Sequence, residues 1–231
     1  MIASLHHPLV KHLVKLREQH RYRKESGTVL ITGSKLVKEV AAHTKAKRLF
    51  VTKESDTLPS EEVYLVTEAV LKKITALPSP EGIAAEFPLP EPHPLLHPPL
   101  LILDAIRDPG NLGTLLRTAL ALGWKGVFLL PTCVDLFNDK VIRSSRAAPF
   151  YLPWRMGNLE ELSELCREID IYIADMEGTP LHTLEPSKKI ALLLSNEGEG
   201  VNPQTAHLGK RISIPMSGRM ESLNVGLPGA S

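Results

Sequence analysis

Arg117 stands six residues after Asn111 in a helical pattern that is otherwise apolar, and its neighbours one turn away, Gly113, Leu120 and Ala121, offer it no carboxylate. An arginine in that setting either carries its guanidinium out to the surface or holds a ligand through phosphate or carboxylate oxygens. Two other stretches combine glycine with polar side chains directly after apolar runs. One is Ser195-Asn196-Glu197-Gly198-Glu199-Gly200, following Ile190 to Leu194. The other is Ile214-Pro215-Met216-Ser217-Gly218, which runs on to Glu221-Ser222-Leu223-Asn224-Val225. Singly, each reads as an ordinary turn or helix cap. There is neither a Walker phosphate loop nor a Gly-x-Gly-x-x-Gly after the first strand, so nucleoside triphosphates and ordinary dinucleotides have no positive support.

Elements that could position these residues follow from periodicity. Leu100 to Leu103 form an apolar run ending at Asp104, which suits a strand buried on both faces. Asp108-Pro109-Gly110 is turn chemistry, Asn111 suits a helix cap, and Leu112, Leu115, Leu116 and Ala119 recur at helical spacing. Strands are expected at 126–130, 171–174, 190–194 and 211–215, with helices at 139–146 and 158–168 between them. That alternation predicts a parallel sheet covered by helices, whose ligands sit beyond the carboxyl ends of the strands. The three stretches above are loops of that kind.

Upstream, residues 8–24 place Leu9, Val10, Leu13, Val14 and Leu16 on one face and bases on the other, predicting one amphipathic basic helix. Strands at 28–32, 48–52 and 63–66 and helices opening at Ser34 and after Thr67 complete a small α/β module. Eight of the nineteen prolines fall between residues 78 and 99, which forbids regular structure over much of that stretch. The division expected is therefore 1–87, a proline-rich linker at 88–99, and 100–231. His93 and His97 lie in that linker with no helix to align them, and no metal site is expected.

The chain has 231 residues, is 43% hydrophobic and carries a formal charge of +1. Residues 1–48 alone hold +8, which leaves −7 for the remainder and points to a polyanion-binding face near the start. Two cysteines, Cys133 and Cys166, indicate neither a disulfide framework nor zinc and fit a reducing cytoplasm. No run of about 18 apolar residues suggests a membrane span.

In combination and in this order, LDAIRDPGNLGTLLRTA, LLLSNEGEGV and IPMSGRMESLNV resemble the SpoU (TrmH-type) family of RNA ribose 2′-O-methyltransferases in the SPOUT superfamily. VDLFNDKVIRSS is similar to the family's intermediate segment. HPLVKHLVKLREQHRYR, VLITGSKLVKEV and SPEGIAA resemble more loosely the small substrate-binding domain that many members carry, with Thr32 where those members usually have Glu. The resemblance implies an α/β fold with a SPOUT-type parallel sheet and a C-terminal trefoil knot, preceded by a small α/β RNA-binding domain, and a homodimer formed through the knotted part. It implies S-adenosylmethionine as cofactor, lined by Ser195, Asn196, Gly198, Ile214, Met216 and Leu223. Arg117 matches the catalytic arginine, and Asn111, Glu197, Ser222 and Asn224 match its polar partners. The substrate implied is rRNA or tRNA, because DNA lacks the 2′-hydroxyl. Lys11, Lys15, Arg17, Arg21, Arg23 and Lys24, with Arg143, would hold its phosphates.

Two departures stand against this pattern. Ala147 and Pro149 replace residues that are usually glycine and aliphatic. After Asn224, where members continue into a helix of several turns, the chain reads Val225-Gly226-Leu227-Pro228-Gly229-Ala230-Ser231, which penalises a helix. The alternative expectation is an RNA-binding protein on the same scaffold with weak or no catalysis, the terminal helix being missing.

Overall fold

A computed structural model describes residues 1–54, 57–185, 187–196 and 200–215. The chain divides into two compact units, Met1–Pro90 with Phe137–Ala147, and Glu91–Leu136 with Ala148–Ser231.

In the first unit, β1 (Thr28–Thr32), β2 (Ala46–Val51), β3 (Ser60–Leu65) and β4 (Ile83–Pro88) form a sheet in the order β1-β4-β2-β3. β4 runs antiparallel to both neighbours, and β2 pairs parallel with β3. Val10, Leu13 and Leu16 of α1 (Pro8–Glu18) and Val70, Leu71 and Ile74 of α4 (Glu68–Thr75) pack with Leu30, Phe50 and Ala84 of the sheet. The core is thus the apolar face read from the sequence. α3 (Ser34–Ala41) follows Gly33, whose φ of 94° needs glycine.

The single basic helix expected over residues 8–24 is two. Gln19 is extended between α1 and α2 (His20–Ser26), and α2 folds back so that the Arg23 guanidinium donates to the carbonyls of Leu16 (2.5 Å) and Arg17 (3.0 Å). Those are last-turn carbonyls of α1, which a continuing helix would have satisfied with its own N–H groups. Arg17 in turn donates to Lys73 O and Ile74 O at the end of α4. Both arginines close helix ends, so the expectation that they face phosphates is corrected here: Arg23 is only 3% exposed.

β4 was not expected, because Glu86 interrupts its apolar pattern and Pro88 ends it. Glu86 is buried and accepts from Arg48 Nη1 (2.8 Å), its partner across the β2–β4 register, and pairs with His12 Nε2 (3.1 Å). Burial alone would push its carboxyl up, but hydrogen bonds from His12, Thr28 and Arg48 outweigh that and bring it to about 2. α6 (Asp139–Ser145) belongs to this unit rather than to the sequence around it, and the Arg146–Glu39 pair (2.8 Å) ties its end there.

The second unit is a six-stranded, all-parallel sheet in the order β10-β8-β9-β5-β6-β7. Its strands are β5 (Leu100–Asp104), β6 (Gly126–Leu129), β7 (Trp154–Met156), β8 (Asp170–Pro180), β9 (Ile190–Ser195) and β10 (Lys210–Ser213). α5 (Pro109–Ala121) joins β5 to β6, and α7 (Leu159–Leu165) joins β7 to β8. Leu100, Ile102, Phe128, Leu162, Ile171 and Leu193 share one core cluster. β8 runs past the expected 171–174, and its register with β10 slips between Arg211 and Ile212. A Cβ on Gly178 would lie 2.5 Å from Ile212 N, so glycine permits that approach. The segment 216–231, on which the expected knot and the departure from a terminal helix rest, lies outside the described residues. Among the described residues no helix is long and apolar enough to cross a membrane, and no group of His, Cys, Asp and Glu is arranged to hold a metal ion.

Two stability predictions follow from the first unit. A carboxyl held below its ordinary 4.5 stabilises the fold above that pH and loses the contribution as pH falls through about 2. Glu86→Gln should therefore cost about 3 kcal/mol at neutral pH and flatten the stability profile between pH 4.5 and 2, measured by urea unfolding across pH. Arg23→Ala should cost about 1–3 kcal/mol by leaving two helix-end carbonyls without their donor. The same change at Arg21, whose side chain is 90% exposed, should stay within about 0.5 kcal/mol.

Candidate active site

β5 and β9 end side by side, with Asp104 in register with Ser195. The first two loops singled out in the sequence therefore leave the same edge of the sheet from adjacent strands. The third leaves β10, two strands from β9 in the same parallel sheet.

The loop after β5 is held from both ends. Ala105 adopts a left-handed conformation (φ 55°), and its N–H donates to Thr132 Oγ1 (3.1 Å) beyond β6. Asp108, not Asn111, caps α5: Asp108 Oδ1 accepts from Asn111 N at 2.8 Å, and Pro109 occupies the first turn where its missing N–H costs nothing. The cap expected at Asn111 is thus three residues too late, and Asn111 is a half-buried residue of the first turn. Arg117 lies six residues on, about 9 Å further along the axis, with an exposed side chain and no hydrogen bond or ion pair among the described residues.

Ser195 closes β9, and its buried hydroxyl has no hydrogen-bond partner among the described residues. Asn196 and Ile214 are half-buried. Glu197, Gly198, Met216, Ser222, Leu223 and Asn224 lie outside the described residues. An orphaned hydroxyl beside a polar amide at the carboxyl edge fits the hydrogen-bonding needs of an adenosyl or methionyl group, so the residues present suit the cofactor that the sequence pattern implies.

Spacing did not reveal the polar centre of this edge. Asp104 is 1% exposed, and its two oxygens accept from Thr132 Oγ1 and Thr205 Oγ1, each at 3.2 Å. Beside it opens a cavity of about 390 Å³ lined by Asp104, Leu130, Thr132, Asn158, Asn202 and Gln204, among others. The only sequence signal was a carboxylate ending an apolar strand, because residues 28 and 101 positions away share no period with it.

The basic residues named from the sequence lie in the first unit. Lys11, Lys15, Arg21 and Lys24 are exposed, with the Lys15 ammonium 5.3 Å from the Tyr22 ring centroid and Arg21 paired to Glu25. Arg143 is exposed and pairs with Asp139 one turn earlier on α6.

Residues 98–230 match the model of the SpoU rRNA Methylase family, and residues 7–85 match that of the MRM3-like substrate binding domain. The chain is 33% identical over 240 residues to the 23S rRNA (guanosine(2553)-2′-O)-methyltransferase RlmP of Bacillus subtilis, covering 99% of this chain and 96% of that protein. Among solved structures, a putative RNA methyltransferase of the TrmH family from Porphyromonas gingivalis superposes with a TM-score of 0.86 at 31% identity, covering 96% of this chain and 93% of the other. An AdoMet-bound rRNA methyltransferase from Sinorhizobium meliloti gives a TM-score of 0.86 at 28% identity, covering 99% and 94%. With the parallel sheet, the loops at its carboxyl edge and these likenesses together, the chain belongs to the SpoU rRNA methylase family.

Proposed function

We propose that this protein transfers the methyl group of S-adenosylmethionine to a ribose 2′-hydroxyl of RNA, with rRNA or tRNA as substrate. The observation that carries the reading is the Asp104–Ser195 register. It sets the loop leading to Arg117 beside the loop that begins with a buried hydroxyl unpartnered among the described residues. S-adenosylmethionine supplies an electrophilic methyl on a sulfonium. Ser195, Asn196 and Ile214, with Gly198, Met216 and Leu223, hold it, so that the protein's part is chiefly to align oxygen, carbon and sulfur.

Arg117 grips the phosphate of the target nucleotide and stabilises the oxyanion developing at the 2′-position. It does not serve as the base, since guanidinium groups are not deprotonated in proteins. The proton leaves to water or Glu197, and Asn111, Ser222 and Asn224 orient the reacting groups. The exposed Lys11, Lys15, Arg21 and Lys24, with Arg143, contribute affinity and salt dependence without reading sequence. The placement of Lys11, Lys15, Arg21 and Lys24 in residues matching a substrate-binding model supports that role. The protein works in the cytoplasm as a homodimer assembled through the 100–231 part.

Calorimetry with S-adenosylmethionine, followed by transfer of labelled methyl into total RNA and mapping of the marked 2′-oxygens, tests the reading. Cofactor binding with no transfer to any RNA would favour a catalytically silent RNA-binding protein instead. Arg117→Ala should lower kcat by about 10²–10³-fold, while Arg117→Lys retains part of the rate. A pH–rate profile that keeps its shape in Arg117→Lys excludes arginine as the proton acceptor.

A further inference from the structure

The segment from Ser195 to Thr205 begins and ends at one residue. Ser195 is the register partner of Asp104 at the end of β9, and Thr205 Oγ1 returns to within 3.2 Å of Asp104 Oδ2, its one hydroxyl proton shared between that oxygen and Asn202 O at 3.1 Å. Thr205 is fully buried, and its N–H also donates to Asn202 O (2.9 Å), closing a turn just before that return. Gly200 N–H donates to Asn196 O (3.1 Å) inside the loop. One end of the 195–205 segment is thus set by backbone pairing beside Asp104 and the other by a hydroxyl at the Asp104 carboxylate, and fixed ends lower the entropy cost of binding a ligand.

The other oxygen of the same carboxylate takes Thr132 Oγ1 at 3.2 Å, and Thr132 Oγ1 accepts the N–H of Ala105. Ala105 holds the left-handed conformation that turns the chain out of β5 towards Asp108 and α5. That conformation costs an alanine about 1–2 kcal/mol and persists only where neighbours impose it. One buried carboxylate thus fixes the take-off of the loop leading to Arg117 and the closure of the loop carrying Ser195 and Asn196. Two hydroxyls, with no formal positive charge, satisfy it, so removing either leaves a buried acceptor without its donor.

We propose that Asp104, Thr132 and Thr205 are positioning residues for methyl transfer, a clamp that holds the cofactor loop and the arginine loop in mutual register. This rests on the transferase reading above and deepens it. The clamp touches neither reacting atom and acts through Ala105 and through the ends of the 195–205 segment.

The experiment compares the full-length wild type with Thr205→Val, Thr205→Ser, Thr132→Val and Asp104→Asn. It reads S-adenosylmethionine affinity by calorimetry, amide exchange over residues 196–202, and kcat and KM for methyl transfer into RNA, all well below each variant's Tm. Thr205→Val should weaken the cofactor about tenfold, speed exchange in 196–202 and lower kcat, and Thr205→Ser should restore all three. Thr132→Val should lower kcat with less effect on cofactor affinity, since it releases the Ala105 turn rather than the second loop. If Thr205→Val does not fold, Asp104→Asn carries the same readouts, because it keeps the volume and one acceptor. Wild-type cofactor affinity and exchange in Thr205→Val, or a loss that Thr205→Ser does not repair, overturns the clamp. A wild type that neither binds cofactor nor methylates RNA overturns the transferase reading instead, and the two failures are thereby distinct.

Discussion

The parallel pairing of β5 with β9 is the constraint on which the site depends. β5 is buried along its whole length, and its two neighbours come from distant parts of the chain: Leu100 pairs with Gly126 on one side and with Ala191 on the other. Such pairing forms only after long loops have closed, yet once formed it leaves little freedom at the strand ends. Because every strand of this sheet is parallel, the loops that follow them emerge at one edge. The adjacency of two loops more than eighty residues apart is therefore a consequence of backbone pairing, and side chains need only refine it. The apolar residues of β5 and β9 supply the burial that makes the pairing favourable.

The first unit shows why a count of bases is a poor measure of a binding surface. Residues 1–48 carry +8 formally, yet Arg17, Arg23 and Arg48 direct their guanidinium groups to helix-end carbonyls and buried or cross-strand carboxylates. Arginine suits these tasks because its planar fork serves several acceptors at once. The exposed cations of the first two helices, Lys11, Lys15, Arg21 and Lys24, include three lysines. Lysine on a flexible stem offers charge with little geometric demand, which matches attraction to a polyanion better than selection among its bases.

Much of the architecture was legible in the sequence, for identifiable reasons. β5, β6 and β9 are nearly continuous apolar runs, and Thr67 caps α4 as expected, its hydroxyl accepting from Val70 N. What escaped was polar or short. β4 carries a charge at its centre that is neutral in effect only because Arg48 and His12 come to it, and β7 has three residues. The break at Gln19 depends on Arg23 reaching back to α1, which no helical period records. At the site, glycine and proline marked the loops because those residues act locally. The Asp104 contacts were invisible because Thr132 and Thr205 are ordinary threonines until the sheet brings them to one carboxylate.

Backbone strain follows the same division between local and distant causes. Ala105, Arg146 and Ala147 all have φ between 54° and 58°, a region that favours glycine, and Ala147 stands where the resemblance leads one to expect it. Arg146 and Ala147 end α6, where left-handed residues are common because they turn N–H groups back onto the last carbonyls. Arg146 N donates to Arg143 O and Ala147 N to Ile142 O (2.9 Å), so local hydrogen bonds offset that strain. Ala105 has no helix end to serve. Its N–H donates to the Thr132 hydroxyl, which is itself held by Asp104. The strain at Ala105 is therefore balanced by contacts made across the sheet edge, and it is sustained only while β5, β6 and β9 remain assembled. That couples the geometry of the loop before Arg117 to the integrity of the whole carboxyl edge, which a helix-end alanine cannot do.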